Sequence, residues 1–528
     1  MSSQTMEPEQ TTSEDPPAAR SGWSAQSSTL GLVAVAGVFA ALVFLLVKDS
    51  LTDDAYITLA YAKNLATDGH WGLIPQQISN SATSPLNVLL LGALAWVTTW
   101  FGEVSPVFGL GVLTVLVTMA QAWGWARLVR ALRLTGWVGI ATAAVGLLLV
   151  LANPFVLSAV GLEVLLVPAV LVLMVAFVLE SRPVAFGVVA GLALLIRLDL
   201  VIFVVLLALC TQAIRRKLHI AALSAVLVSA PWYLFSWFYL GSAVPDTLVI
   251  KQSQGGLFGI WTYLTGPIMY FIGKMRDVGF AFLPMVFGVL ALLAWLLVRF
   301  GVRWTNRPPA LGPVLALGLG GLAYYGVYTV MGVGPYHWYY VPPMVALSSA
   351  LAVLAGWWLA RAREQERLRI AAPLGALGLV ALLGLGNLAN DMRHGVPWES
   401  PVIFGNWASA QDYARVGEEL GQRLAGATVA SPGEIGTLAY FCECSIVDVF
   451  SDRGQAIDRV DERIDESNAI GKAVWRFNYL WLDRSVQPRP VDYELVYEEG
   501  PGSGPDTWEV NSANKGVGHF RLEPAQPR

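Results

Sequence analysis

Long apolar runs recur along most of this chain, and they constrain its fold more than any other feature. A helix needs roughly 20 apolar residues to cross the hydrocarbon core of a bilayer. Of the 528 residues, 55% are apolar and only 14% are charged. The sequence therefore predicts a polytopic α-helical membrane protein with about eleven transmembrane helices. The runs lie at 29–48, 107–125, 137–155, 162–179, 183–197, 198–214, 219–240, 278–298, 310–331, 341–360 and 370–386.

Blocks of basic residues between alternate runs predict the orientation in the membrane. When the runs are counted as spans, all of these blocks fall on one side. Because Lys and Arg are enriched in cytoplasmic loops, we expect that side to face the cytoplasm. The blocks lie at 127–133, 215–217, 299–307 and 361–369. The loops expected on the outside are 155–162, 241–277 and 332–340.

The chain divides into three parts by composition. Residues 1–28 are polar and rich in Ser, Thr and Pro, which predicts a disordered cytoplasmic tail. Residues 29–390 contain the apolar runs and form the predicted transmembrane domain. Residues 391–528 are polar, with strand-like runs at 427–430 and 445–449. They predict a soluble α/β or α+β domain, which an odd number of spans places outside. Helices are expected in it near 406–424 and 454–473.

The segment 84–101 is apolar but is not expected to cross the membrane. It is short, begins with Ser-Pro and ends in Trp-Val-Thr-Thr-Trp, which is typical of a membrane interface. If it crossed, Asp53 would move to the cytoplasmic side. We interpret it as a helix lying in or dipping into the outer leaflet, so that all of 49–106 is an external loop. The run at 258–273 is open to the same interpretation.

Charge and cysteine content narrow the functional classes. The net charge is −4 and the basic residues are dispersed in short blocks, which gives no reason to expect a nucleic-acid partner. There are three cysteines, and the Cys442-Glu-Cys444 spacing is too short for an easy disulfide. We expect packed thiols there rather than a disulfide or a metal site.

The adjacent carboxylates Asp53 and Asp54 follow the first apolar run directly. Carboxylates beside hydrocarbon are costly unless they are paired, bind an ion or face water, so they suggest a functional site, although a hydrated acidic loop would look the same. Other polar residues lie at the external ends of predicted spans. They are Glu163, Arg197, Asp199, Asp246, Lys251, Tyr336, His337, Tyr339 and Tyr340. Singly, each has a structural alternative: Arg197 could pair with Asp199, and Lys251 and His337 could be interfacial anchors.

Several motifs in this order resemble a known family. They are the Asp-Asp after the first span, an external loop ending in Thr83-Ser84-Pro-Leu, Arg-x-Asp at 197–199, PWYLFSWFYLGSAVPDTLVIK at 231–251 and GPYH at 334–337. Together they resemble the GT-C superfamily of polyprenyl-phosphate-sugar-dependent glycosyltransferases. Within this superfamily the sequence resembles actinobacterial arabinofuranosyltransferase-like proteins in particular, which carry a similar string ending in Pro-x-Thr-x-x-x-Lys. The resemblance covers most of 29–345 and, more weakly, 433–454.

The resemblance implies a function and a set of roles. The donor would be a polyprenyl-phosphate sugar, with arabinofuranose as the favoured sugar, and the acceptor a cell-envelope glycan outside the plasma membrane of a bacterium. Asp54 would act as the base of an inverting transfer, and Asp53 would support it or bind a divalent cation such as Mg²⁺, Mn²⁺ or Ca²⁺. The donor phosphate would contact Lys251, Arg197, His337 and Tyr336. Glu163, Asp199, Thr83 and Ser84 would contact substrate.

Three alternatives stay open from the sequence. The same fold could transfer mannose or another sugar to protein or lipid. The chain could instead be a flippase or transporter for a lipid-linked sugar, with Arg197 and Asp199 lining its passage; no internal repeat of transporter type is visible. It could also be a membrane scaffold that presents the C-terminal domain, with purely structural charges.

Overall fold

The structure is a computed structural model that describes residues 25–253, 258–301, 311–364, 370–424, 426–442 and 444–526. In these ranges six helices are long and apolar enough to cross a membrane. A seventh candidate is the pair Gly266–Val278 and Leu283–Val298, which is bent by 116°. Five shorter apolar helices of 10–17 residues accompany them. The predicted polytopic helical fold is confirmed, whereas length and composition do not fix the number of spans. The predicted tail at 1–28 lies almost entirely outside the described residues.

The membrane part contains helices α1 to α17, joined by short 3-10 turns. They are α1 (Ala25–Val47), α2 (Asp53–Asp68), α3 (Pro85–Thr98), α4 (Pro106–Ala131), α5 (Gly136–Leu151), α6 (Pro154–Leu157), α7 (Val167–Leu179), α8 (Pro183–Ile196), α9 (Val201–Cys210), α10 (Gln212–Arg215), α11 (Leu218–Phe235), α12 (Thr247–Ser253), α13 (Gly266–Val278), α14 (Leu283–Gly301), α15 (Gly312–Met331), α16 (Val341–Glu364) and α17 (Ala371–His394). A π-helical turn, Ser236–Leu240, extends α11.

The two ends of the helical bundle differ in charge. At one end Arg130 donates to Thr29 near the start of α1, at 3.0 Å, so α1 and α4 run antiparallel. Arg127 forms an ion pair with Glu180 at the same end. Arg363 at the end of α16 lies 5.3 Å from the ring of Trp137, which follows α4 closely. Arg127, Arg130 and Arg363 therefore lie at one end of the bundle, and residues 303, 307, 367 and 369 lie outside the described ranges.

Helix α3 begins and finishes at the opposite end of the bundle. Its N-cap residue Ser84 donates to the carbonyl of Leu195, in the last turn of α8, at 3.4 Å. Its last residue Thr98 accepts from the amide of Ser105, just before α4 begins, at 2.9 Å. Since α8 starts near Glu180 and α4 ends near it, Leu195 and Ser105 both lie far from the basic end. This geometry is the one expected of a helix that does not cross.

The C-terminal part is a small mixed α/β domain. Its elements are α18 (Ala410–Arg423), β1 (Thr428–Ala430), α19 (Gly436–Cys442), β2 (Ser445–Val447), α20 (Arg453–Glu466), α21 (Ala469–Asn478), β3 (Tyr493–Glu499), β4 (Thr507–Ser512) and β5 (Gly516–Pro524). The strand order is β2-β1-β3-β5-β4, with β1 parallel to its two neighbours and the remaining pairs antiparallel. The helix expected near 454–473 is divided into α20 and α21, because Asn468 caps a new helix by accepting from the amide of Gly471.

The C-terminal domain shares a hydrophobic core with the segment 49–106. Tyr61 and Trp71 of the 49–106 segment belong to the same buried cluster as Tyr413, Leu438 and Phe520. The change in composition near residue 391 is therefore not a boundary in packing. The domain and the segment bury apolar surface against each other, which stabilises their relative placement.

The predicted packed thiols at Cys442 and Cys444 are wrong. The two residues form a disulfide, with Cα atoms 5.0 Å apart. That separation lies within the range that disulfides require. This Cα separation is shorter than the roughly 7 Å that two extended residues span, so the chain is not extended between the end of α19 at Cys442 and Cys444, just before β2.

Candidate functional site

A cavity of about 830 Å³ lies at the end of the bundle away from the basic blocks, beneath the C-terminal domain. The membrane part supplies most of its wall. Its charged lining residues are Asp54, Glu163, Arg197, Asp199, Lys251 and Arg463. Its apolar lining includes Leu198, Val201, Ile202, Val327 and Met331. A charged chamber with an apolar flank suits a ligand that has both a polar head and a hydrocarbon part.

Asp54 and Lys251 form an ion pair in this cavity. Asp54 lies in the first turn of α2, where the helix dipole favours a carboxylate. The ammonium nitrogen of Lys251, from α12, lies 3.3 Å from its Oδ1. That nitrogen also lies 4.7 Å from the ring centre of Trp338 and 5.3 Å from that of Tyr336, which predicts a cation–π contribution. Burial lowers the pKa of Lys251, but Asp54 and nearby phenols raise it more, so the pKa lies above its ordinary value and the group stays charged.

Arg197 is surrounded by acceptors. It lies at the break between α8 and α9, where its extended backbone ends the first helix. Its Nη2 lies 2.6 Å from Asp199 and 2.7 Å from the hydroxyl of Tyr328, and its Nη1 pairs with Glu163. Tyr324 donates to the same oxygen of Asp199 at 3.0 Å. A buried arginine with two carboxylate partners is already neutralised, so this group braces the cavity wall and has little charge left for a phosphate.

Asp53, expected to support catalysis or bind a metal, lies outside the cavity. Its two carboxylate oxygens accept from the amides of Gly436 and Thr437, at 3.0 and 2.7 Å, at the start of α19. A Cβ at residue 436 would lie 2.0 Å from the Asp53 carbonyl, so only glycine allows this approach. Burial raises the pKa of Asp53 to about 6, although the two amides lower it. The geometry makes Asp53 a docking residue between α2 and the C-terminal domain.

The other residues singled out in the sequence divide between cavity and core. Tyr336 and Thr83 line the cavity, as do Glu163 and Asp199. Ser84 is not a lining residue. Its hydroxyl caps α3 by accepting from the amide of Asn87. His337 is also outside the cavity, buried against the carbonyl of Ser158 at 3.3 Å.

Asp246 is buried beneath the C-terminal domain. Ser242 donates to it at 3.1 Å. Burial raises the pKa of Asp246 to about 6, against the opposing influence of Arg453. We assign it a structural role, because it is absent from the cavity lining.

Two cavity residues, Phe450 and Arg463, come from the C-terminal domain and were not predicted. Arg463 lies in the last turn of α20, which packs on α12 through Val249, Ile457 and Ile464. Its Nε is buried without a hydrogen-bond partner. In the sequence it is one of several charges on an amphipathic helix, and only the packing of α20 on α12 distinguishes it.

The charges of the cavity lining balance only when Arg463 is included. Asp54, Glu163 and Asp199 are paired with Lys251 and Arg197. Among the residues that the structure describes, Arg463 is the one cation of the lining without an ion-pair or hydrogen-bond partner for its side chain. It is therefore the group most ready to accept an incoming anion.

The lining does not offer an evident site for a divalent cation. Each of its carboxylates already has a basic partner, and both oxygens of Asp53 accept backbone amides. Within the described ranges, no three His, Cys, Asp or Glu side chains converge as metal ligands. Magnesium and calcium favour several oxygen ligands, so the arrangement does not fit the predicted ion.

No family model and no curated protein sequence matches this chain. Solved structures do. ArnT from Cupriavidus metallidurans aligns with a TM-score of 0.53 at 16% identity, over 94% of this chain and 98% of that one. The oligosaccharyltransferase of Archaeoglobus fulgidus, in complex with Zn and sulfate, aligns with a TM-score of 0.51 at 15% identity, over 88% and 67%. The chain has the GT-C fold.

The GT-C neighbours leave the substrate open. ArnT has also been solved with undecaprenyl phosphate bound, and that structure aligns with a TM-score of 0.52 at 16% identity, over 96% of this chain and 100% of that one. The mycobacterial arabinofuranosyltransferase AftD aligns with a TM-score of 0.43 at 14% identity, over 93% of this chain and 41% of that one. At that score the similarity carries no weight for arabinose. At sequence identities this low, the structural similarity shows a shared fold and does not show a shared activity.

Proposed function

We propose that this chain is a membrane glycosyltransferase that moves a sugar from a polyprenyl-phosphate donor to an acceptor hydroxyl outside the cytoplasm. The observation that carries the proposal is the Asp54–Lys251 pair in a cavity that also holds the unpaired Arg463. The pair combines a carboxylate that can take a proton with a cation that can hold a phosphate. A relative of the same fold binds undecaprenyl phosphate, which supports a donor of this class.

The transfer would proceed in one displacement. The acceptor oxygen attacks the anomeric carbon and gives its proton to Asp54, while the bond from that carbon to the phosphate oxygen breaks. The polyprenyl phosphate leaves with the electron pair, so negative charge grows on its oxygens. Lys251 and Arg463 would stabilise that charge, and the phenol of Tyr336 could donate to the phosphate. Inversion follows if Asp54 and the phosphate lie on opposite faces of the sugar.

The orientation follows from charge. Arg127, Arg130 and Arg363, from two of the basic blocks, lie at the end of the bundle opposite the cavity. By the positive-inside rule, that end faces the cytoplasm and the cavity opens on the other leaflet. We therefore propose that residues 391–528 are extracytoplasmic, that 29–390 form the transmembrane catalytic domain with 49–106 as its external loop, and that the protein lies in a bacterial plasma membrane.

The sugar is assigned by the motif resemblance alone. We favour arabinofuranose and a cell-envelope glycan acceptor, with inversion. Mannose or 4-amino-arabinose is the alternative within the same reaction. A divalent cation would enter this scheme only as a ligand of the donor phosphate, because the protein's carboxylates are engaged.

The test is transfer by purified protein in nanodiscs. Wild type is supplied with decaprenyl-phospho-arabinose, or with the mannosyl and 4-amino-arabinosyl analogues, and an arabinan acceptor. We expect a new glycosidic product with one donor and its loss in Asp54→Asn. Lipid translocation without product formation would instead support a flippase. Absence of product with every donor would count against the transferase. Addition of EDTA decides whether a cation takes part.

A further inference from the structure

Helix α21 of the C-terminal domain carries apolar residues on the face that should be polar in a soluble domain. Ile470, Val474 and Phe477 are spaced by four and three residues, which places them on one side of the helix. Their exposed fractions are 78%, 59% and 64%. The opposite side is partly buried, because the half-buried Trp475 packs with the cluster around Tyr479. An apolar face of this kind normally contacts another apolar phase.

This face is continuous with the outer end of the helical span at 218–240. The ring of Phe477 lies 4.8 Å from that of Trp237, whose indole nitrogen donates to the Phe477 carbonyl at 3.0 Å. Trp481, just after α21, lies 5.6 Å from the ring of Phe238. Only 17% of the most apolar stretch of this span is buried, so most of its surface faces away from the rest of the protein. The exposed rings of α21 and those of the span therefore form one apolar surface.

The depth of this apolar surface along the membrane normal indicates that lipid covers it. Exposed aromatic residues at the end of a span, here Phe238 and Tyr239, are typical of the headgroup region of a bilayer. Phe477 of α21 packs on Trp237, the residue before Phe238, so α21 lies at the same depth. Arg476 is exposed beside the apolar face, where it can reach lipid phosphates.

We propose that α21 is an interfacial helix that inserts its Ile470, Val474 and Phe477 face into the outer leaflet. The occupant is lipid, argued from continuity with a spanning helix and from the flanking basic group. Because α20 and α21 are consecutive and packed together, this contact also fixes the helix that brings Arg463 to the cavity. This placement of the C-terminal domain on the membrane does not depend on the proposed transferase activity.

The test uses the full chain in nanodiscs of phosphatidylethanolamine and phosphatidylglycerol. Single cysteines replace Val474 or Phe477 in a Cys210→Ser background under non-reducing conditions, which keep the Cys442–Cys444 disulfide closed. Each is labelled with a nitroxide, and its collisions with oxygen and with a water-soluble nickel chelate are measured. Glu462→Cys on α20, which is exposed, is the matched aqueous control.

Inserted labels at 474 and 477 should collide with oxygen several-fold more than with nickel, with the reverse order at 462. Equal nickel exposure at all three positions would overturn the proposal, because the face would then be in water. Labels at 474 and 477 that are immobilised and shielded from both reagents would also overturn it, because a protein surface would then cover the face. Ile470→Cys provides a second reading at the start of the helix.

Discussion

Asp54 and Lys251 are 197 residues apart in the sequence, yet the lysine nitrogen lies 3.3 Å from the carboxylate. One comes from helix α2, which follows the first span, and the other from the short helix α12 after the span at 218–240. Their meeting joins two polar segments that otherwise belong to separate hairpins of the membrane part. The ion pair offsets part of the cost of partly burying each charge.

Replacing Asp54 with Asn should lower kcat by about 100- to 10,000-fold, the usual contribution of a general base. Donor binding should be kept or strengthened, because the amide keeps the shape of the side chain and removes a negative charge beside Lys251. The measurement is steady-state transfer together with undecaprenyl phosphate binding in nanodiscs. Asp68→Asn, at the exposed end of the same helix, is the control. Wild-type turnover in Asp54→Asn would remove this residue from the chemistry.

Replacing Lys251 with Met should weaken undecaprenyl phosphate binding by roughly ten- to a hundredfold, as expected when a hydrogen bond to a charged group is lost. Lys251→Arg should recover part of the affinity, since it keeps the charge. Binding can be measured by tryptophan fluorescence titration, which needs no turnover. Lys515→Met, at a surface ion pair with Glu499, is the control. Equal affinity in Lys251→Met and wild type would contradict the phosphate role.

Arg463→Gln should reduce undecaprenyl phosphate affinity by about tenfold and flatten its dependence on salt, because one unpaired cation is lost. Arg459→Gln is a matched control on the same helix, where the side chain pairs with Glu462 at 3.1 Å. Should both variants bind the lipid as wild type does, Arg463 would be a structural group. If Arg463→Gln lowers the affinity for the acceptor and leaves the affinity for the lipid unchanged, Arg463 would contact the acceptor and not the donor.

Arg197→Gln should destabilise the membrane part by about 3–5 kcal/mol, because Glu163 and Asp199 would remain buried without their cation. The yield of monodisperse protein and its apparent melting temperature report this loss. Neutralising the carboxylates as well, with Glu163→Gln and Asp199→Asn, should restore part of the stability. If Arg197→Gln melts like wild type, the network is not the brace that its geometry indicates.

Burial and the neighbouring Asp53 raise the pKa of Glu434 from 4.5 to about 8. Between these values the folded state binds more protons than the unfolded state, so the contribution of Glu434 to stability falls as pH rises. Glu434→Gln should therefore raise the apparent melting temperature more at pH 8 than at pH 5. Glu462→Gln, on the exposed side of α20, is the control. An equal effect of Glu434→Gln at both pH values would contradict the assignment.

Asp53 and Asp54 show what the sequence leaves undecided for two adjacent residues. The apolar runs and the charges at their ends predicted the helical membrane fold and drew attention to Asp53, Asp54 and Lys251. The sequence could not separate the two aspartates, because they are adjacent. Successive residues of a helix point about 100° apart, so one faces the cavity and the other faces α19. Which direction is which depends on where the C-terminal domain docks.

The sequence by itself determined the class of fold and the end of the membrane part where polar groups collect, because hydropathy and charge act locally and can be read along the chain. Only the tertiary structure decided that Arg197 is satisfied by Asp199 and Tyr328, and that Arg463 reaches the cavity from another domain. It also closed the Cys442–Cys444 disulfide against expectation. These outcomes depend on contacts between segments that are distant in sequence or on a backbone turn, and neither composition nor periodicity records them.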